Sequence, residues 1–527
     1  MKNTLIAALS ALIIVSCGSS SKPMVETTKP KVDMMTVDRV VYGNTITADE
    51  LKEMLYTYAS DEFEGRETGE PGQKKAVEYL KQQYKTMGIP SPLGGDDYFQ
   101  EVPLETQMLP SSELSLNGEK LVEFQDYFIM SADQTEAINA SDIVFAGYGI
   151  DSENYSDYKG LDVKGKIVLI RQGEPKDASG NYVTTGAAEP TKWTNGRQSI
   201  SSKRDAAKDH GAKALMFVDN DLFERYSAFM SQMAARNQSG RIRLKSNEPE
   251  MIFMMASEDL AKKIMPDYMT SEKGKMVSTN LKMDIKSESK QLSSENVVAF
   301  IKGTDKPDEI VVVSAHLDHE GIKDGEVYNG ADDDGSGTIA IVEIAEAFKK
   351  AVDDNLGPRR SILFLHVTGE EKGLLGSRHY TDNDPIFPLE NTVADLNIDM
   401  IGRIDPKREG DRNYVYLIGS DKLSTELHEL SEEVNAKYSN VILDYQYNDE
   451  NDPNRFYYRS DHYNFAKNNI PVIFYFNGTH DDYHQPSDTP DKIEYDLLEN
   501  RTRLVFYTAW ELANRNDRIV VDKADTK

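Results

Sequence analysis

Apolar residues recur at helical spacing early in the chain. Leu51, Met54 and Leu55 form one stripe and Ala76, Tyr79, Leu80 and Tyr84 another, which predicts two helices between Thr47 and Gly88. Between them, Ser60-Asp61-Glu62-Phe63-Glu64-Gly65-Arg66-Glu67-Thr68-Gly69 reads as a polar loop punctuated by glycine. Gly88-Ile89-Pro90 ends the second helix, and 98–104 reads as a strand.

The pattern then changes. Short apolar runs at 143–149, 166–170 and 214–218 are bounded by turn residues and read as strands, with a short helix at 205–211. The stretch 173–202 is polar and reads as a long loop. From Glu295 onward, strands and helices alternate. Strands are predicted at 296–301, 309–314, 360–367, 393–400, 414–419 and 470–476, and helices at 337–352, 373–381, 424–438 and 496–514. Such alternation gives an α/β fold with a mostly parallel sheet covered by helices on both faces. In these sheets ligands bind at the carboxyl ends of the strands.

Length and charge narrow the function. A chain of 527 residues fits two or three domains. Lys+Arg number 60 against 89 Asp+Glu, a net charge of -29, which disfavours nucleic acid and anionic membrane surfaces as partners. The one Cys forbids an intramolecular disulfide and a thiolate-rich zinc site. Its place is informative. A basic start at Lys2 and an apolar run from Leu5 to Val15 lead to Ile14-Val15-Ser16-Cys17, which resembles a bacterial lipobox. The run is too short to span a bilayer permanently. The expectation is an exported protein, lipidated at Cys17 and anchored to a bacterial membrane at its periplasmic face or the cell surface. Residues 18–33, rich in Ser, Pro, Lys and Thr, would form a flexible tether.

Eight of the nine His follow residue 290. The strand ending in His316-Leu317-Asp318-His319 delivers an imidazole and a carboxylate where the chain leaves the sheet. Asn329-Gly330-Ala331-Asp332-Asp333-Asp334-Gly335 stands at the mouth of a helix, and three adjacent Asp repel one another unless a cation sits among them. A solvated helix cap is the other reading of that triplet alone. Glu370-Glu371 follows the strand 360–367, where one carboxylate can bind metal and the other act as a base. Asp399 ends an apolar strand and needs a partner there. His480-Asp481-Asp482-Tyr483-His484 follows 470–476. Together these are five segments, each offering imidazole or carboxylate at an element's end. Ligands of this kind without thiolate suit Zn²⁺, and two such ions about 3.5–4 Å apart form a hydrolytic arrangement.

In their order and context, His316-Leu317-Asp318, Gly330-Ala331-Asp332-Asp333, Gly369-Glu370-Glu371-Lys372-Gly373-Leu374, Asn397-Ile398-Asp399-Met400 and Tyr483-His484 resemble the di-zinc aminopeptidase family that also includes glutamate carboxypeptidase II. The resemblance covers 51–104 and 295–514, including Phe63-Glu64-Gly65-Arg66-Glu67-Thr68-Gly69. The middle module resembles a protease-associated (PA) domain through Phe145-Ala146-Gly147-Tyr148-Gly149 and Lys203-Arg204-Asp205-Ala206-Ala207. The implied fold is a zinc-exopeptidase sheet with an inserted, β-rich PA-like domain. The expected organisation is a lipoprotein signal at 1–16, a tether at 17–40, peptidase parts at 41–111 and 291–516, the insert at 112–290 and a tail at 517–527.

The resemblance also implies roles. His316 and Asp399 would hold one zinc and Glu371 and His484 the other, with Asp333 bridging both and a cis peptide at Asp333–Asp334. Asp318 would orient His316. Glu370 would be the general base, and Tyr483 and Arg459 candidates to stabilise the oxyanion. His319, His462 and His480 are expected near the site but outside the ligand set. The expected substrate is a peptide with a free amino end. The alternatives are a carboxypeptidase acting on acidic peptides, a glutaminyl cyclase-like transferase, and a non-catalytic binding protein; the complete ligand set speaks against the last.

Overall fold

A computed structural model describes residues 33–235, 240–246 and 250–523. The expected signal segment, Cys17 and the first part of the tether lie outside the described residues. No helix among the described residues is long and apolar enough to cross a membrane.

The larger of two main sheets has nine strands. Their order is Ile442–Asp444, Tyr414–Ile418, Val472–Phe476, Thr392–Ile398, Lys306–His316, Arg360–Val367, Ser289–Ile301, Phe99–Gln107 and Arg241–Leu244. The four central strands, from Val472–Phe476 to Arg360–Val367, are parallel. On either side of them the pairing turns antiparallel, and the edge pair Tyr414–Ile418 with Ile442–Asp444 is parallel again. Every residue of Arg360–Val367, Thr392–Ile398 and Val472–Phe476 is buried, as a parallel sheet covered on both faces requires. Helices Gly337–Asp353 and Tyr495–Asn514 cover one face, with Phe348, Phe506 and Trp510 packed ring on ring. On the other face lie Tyr380, Leu423 and Phe465.

The first two predicted helices form as Ala48–Tyr58, capped by the Thr47 hydroxyl, and Pro71–Met87, stopped by Gly88 in the left-handed region. The loop between them is a 3-10 turn over Asp61–Arg66.

The second sheet has eight strands, in the order Glu119–Lys120, Ser111–Leu116, Lys275–Lys286, Glu136–Phe145, Ile167–Arg171, Ala214–Val218, Ile252–Ala256 and Tyr127–Ser131. It carries more helix than the sequence suggests. The strands from Glu136–Phe145 to Ile252–Ala256 pair in parallel, so they need crossovers, and helices Gly196–Asp209 and Asn220–Ala235 supply two. Helix Gly196–Asp209 begins inside the stretch expected to be a loop. Its inward positions include Ser199 and Lys203, so no apolar stripe announces the part before the helix predicted at 205–211. Strand Arg241–Leu244, which sequence places within the insert, adds an edge to the larger sheet through Phe99–Gln107.

The described end of the expected tether is packed. Met34 and Arg39 are buried, and Arg39 pairs with Glu511. The expected tail is held as well: Ile519 is buried and Asp522 accepts the N–H of Thr425 at 2.9 Å.

Candidate metal centre

Three of the candidate segments leave the sheet at the carboxyl ends of adjacent parallel strands. His316 ends Lys306–His316, Glu370 and Glu371 follow Arg360–Val367, and Asp399 follows Thr392–Ile398. His484 lies in the loop after the next neighbour, Val472–Phe476. Neighbouring strands are about 4.8 Å apart, so four consecutive ends fall within about 15 Å. Asp333 comes from the turn Ala331–Ser336, which leads into helix Gly337–Asp353.

The five expected ligands converge. His316 Nε2 lies 3.1 Å from Asp333 Oδ1 and 3.6 Å from Asp399 Oδ1. His484 Nε2 lies 3.0 Å from Asp333 Oδ2 and 3.3 Å from Glu371 Oε2. One carboxylate oxygen of Asp333 thus faces each side of the centre. Buried atoms here lack hydrogen-bond geometry to any described group: His316 Nε2, Asp333 Oδ2 and Glu371 Oε1. Unsatisfied buried donors and acceptors are rare, and a cation among them accounts for these. The peptide Asp333–Asp334 is cis.

The three adjacent aspartates are sorted by hydrogen bonding. Asp334 is near enough to His316 and Asp399 to compete as a ligand. Its oxygens are taken, however: Oδ2 accepts the N–H of His316 at 3.2 Å, and Oδ1 those of Gly337 and Met400 at 2.9 and 3.1 Å. Asp332 accepts the N–H of Gly402 at 2.7 Å through Oδ1, and its Oδ2 lies 3.1 Å from His480 Nε2. That leaves Asp333 to face the imidazoles.

The electrostatics match. Burial would push the Asp333 carboxyl up, but contacts with His316 and His484 outweigh it and hold it well below the usual range. Burial opposes the charge on His484, yet Asp333 and Glu371 raise it to about 10. An imidazole must be neutral to ligate, so a cation entering here displaces protons.

Other expected residues fall as follows. Glu370 is partly buried beside the ligands; burial, then the charges of Glu371, Asp399 and Asp461, raise its carboxyl well above normal, and His316 opposes them. Asp318 reaches His316 through its main-chain carbonyl, 2.9 Å from Nδ1. Its carboxylate instead accepts the N–H of Glu370 at 3.1 Å and the Thr68 hydroxyl at 2.7 Å. The Tyr483 ring stacks on His484 with centroids 3.9 Å apart. Arg459 is exposed and lies over Phe456, so the structure does not bring it into the ligand cluster.

His319, expected near the site, is found there, and Arg66 joins it without a clear sequence signal. His319 is fully buried, with Nδ1 2.9 Å from Glu371 Oε1. Gly330 makes room for it: a Cβ there would sit 2.5 Å from the His319 ring. Arg66 is buried and donates to the carbonyls of Leu317, Asn329 and Gly330 at 3.1, 2.7 and 2.9 Å, fixing the turns that carry His316 and Asp333. The loop 60–69 was legible as a motif, but not its task. His462 is distinct: it stacks on Phe474, and burial lowers it to about 3.

Imidazole and carboxylate groups gathered at one end of a parallel sheet define a candidate metal-hydrolase centre. Residues 296–509, which hold the whole cluster, match the model of Peptidase family M28. Aminopeptidase YwaD of Bacillus subtilis (strain 168) is 32% identical over 149 residues, 25% of this chain and 30% of that protein. Probable glutamate carboxypeptidase LAMP1 of Arabidopsis thaliana is 33% identical over 105 residues, 20% of this chain and 14% of that protein. The matched stretches therefore span less than a third of either relative's length. Among solved structures, the aminopeptidase from Aneurinibacillus sp. strain AM-1 shares the fold, with a TM-score of 0.50, 20% identity and coverage of 92% of this chain and 98% of that one.

Proposed function

We propose that this chain is a two-zinc aminopeptidase that removes N-terminal residues from peptides. The observation that carries the reading is Asp333, whose two oxygens face His316 and His484 at 3.1 and 3.0 Å, with Asp399 and Glu371 on the two sides. His316 and Asp399 would hold one ion, Glu371 and His484 the other, and Asp333 both. Donors of imidazole and carboxylate without sulfur suit Zn²⁺. Bound there, the ions supply a water acidified toward neutral pH and polarise the scissile carbonyl.

The chain supplies the rest. The Glu370 carboxyl, made avid for protons by burial and neighbouring carboxylates, takes the proton of the attacking water and later gives it to the leaving amine. The Asp318 carboxylate holds the Glu370 main chain and so aims that group. Tyr483, whose ring stacks on His484, would donate its hydroxyl to the developing oxyanion. Arg459, exposed and without an ion pair among the described residues, is the less direct candidate for that task.

Asp399, Glu370 and Glu320 make the surroundings of the centre acidic, which favours a substrate presenting an ammonium group. The likeness to a probable glutamate carboxypeptidase supports the competing reading, a carboxypeptidase. The PA-like identity of the insert and lipid attachment at Cys17 belong to this proposal as well.

Wild type and Glu370→Ala, assayed on aminoacyl-nitroanilides and N-blocked peptides with and without zinc, test the reading. Cleavage of free-amino substrates alone, lost in the variant, is expected. Release of residues from the carboxyl end of blocked peptides would establish the carboxypeptidase, and metal binding without turnover would leave the cyclase or binding protein.

A further inference from the structure

We infer that Asp488 is a positioning residue for the Asp333 carboxylate; the inference rests on the two-metal reading above. Asp333 aims its side chain at the imidazoles, so its direction depends on how the main chain around it is held. Asp488 holds it. The Asp488 carbonyl accepts the N–H of Ala331 at 3.1 Å. Its Oδ2 accepts the N–H of Asp332 at 3.0 Å and of Asp333 at 3.2 Å. Three successive N–H groups of the Asp333 turn therefore end on one fully buried residue.

That residue lies four positions after His484, so it ties one ligand's loop to another's. A second tie runs parallel to it. His480, four positions before His484, contacts Asp332, and Asp332 accepts the N–H of Gly402, three positions after Asp399. The loops that carry Asp333, His484 and Asp399 thus share a single brace. Asp488 Oδ1 has no hydrogen-bond partner among the described residues, and Arg403 stands 3.8 Å away. Hydrogen bonds from N–H groups to a carboxylate are stronger than neutral ones, and partners behind the ligands commonly contribute about 10–100-fold in metal affinity.

The test is zinc affinity, measured by competition with a chromogenic chelator on the full chain. Asp488→Ala is expected to weaken at least one of two ions by about 10–100-fold. kcat/KM should fall in parallel and recover in excess zinc. Asp488→Asn keeps an acceptor oxygen in place and should retain most of the affinity. Asp488→Glu keeps the charge but moves the acceptor, and should weaken binding by about tenfold; it decides the matter if the alanine variant does not fold. Folded Asp488→Ala or Asp488→Glu binding both ions as tightly as wild type would overturn the inference alone. Failure of wild type to bind two zinc ions would overturn the underlying reading.

Discussion

Asp334 accepts main-chain N–H groups from His316, Gly337 and Met400, and Met400 sits in the left-handed region at φ 62. Gly337 N–H also donates to the Asp334 main-chain carbonyl, so removing that carboxylate orphans two buried donors, those of His316 and Met400, each costing about 1–3 kcal/mol. Asp334→Ala should therefore lower unfolding free energy by at least about 2 kcal/mol, read from denaturant melts. Asp333→Ala should cost far less stability in the metal-free protein, because its side chain supports no main-chain group, yet it should abolish high-affinity zinc uptake. Glu370→Gln should leave zinc content unchanged and lower kcat by about 10²–10⁴-fold, the share typical of a general base. Metal analysis beside steady-state kinetics separates the two aspects.

Helix Pro71–Met87 is tied to strand Arg360–Val367 by a buried pair, Tyr84 Oη and His366 Nε2 at 2.7 Å. Burial lowers His366 to about 3. The folded-state value lies below the unfolded one, so the unfolded chain takes up the proton first as pH falls. The stability from a neutral His366 is complete above about pH 6.5 and drains by about 1.4 kcal/mol per pH unit below it, until the folded value near 3 is reached. Denaturant melts between pH 7 and pH 5 should show a shallower acid loss in His366→Asn than in wild type. An equal slope would mean that His366 titrates normally. His462, in the short helix His462–Ala466, should behave likewise.

Across the whole molecule, two sheets are joined by the ribbon of Phe99–Gln107 and Ser289–Ile301 and by strand Arg241–Leu244. Arg243 clasps that junction, 2.7 Å from Glu105, 2.6 Å from Asp133 and 3.3 Å from Glu250. Arg243→Ala strands three carboxylates together. It should separate the melting of the two sheets in calorimetry, where wild type melts closer to a single transition. A net charge of -29 repels itself, so raising monovalent salt from 10 to 150 mM should raise Tm. Zinc adds stability by mass action, about 2.7 kcal/mol at a hundredfold excess over Kd, and chelation should remove it.

The alternation of elements after residue 290 was legible along the chain, because runs such as Arg360–Val367 are largely apolar on both faces and a covered parallel sheet accepts them. The sequence also made the five donor segments legible, since imidazole and carboxylate at the ends of buried strands need an explanation that surface decoration does not offer. The first part of helix Gly196–Asp209 stayed hidden because buried Lys203 and Ser199 interrupt its inward face, while its end falls within the helix predicted at 205–211. Strand Arg241–Leu244 stayed hidden because its Arg-Ile-Arg-Leu alternation lasts only four residues, too short to stand out along the chain. Family resemblance singled out Asp333 among three identical aspartates, but the physical reason for that choice lies in the fold. Side-chain chemistry at 332, 333 and 334 is the same, and the choice is made by N–H groups from His316, Met400 and Gly402, which the fold brings from distant positions, together with that of nearby Gly337. For the same reason the parts of Arg66 and Asp488, and the contact of His319 with Glu371, emerge only in three dimensions.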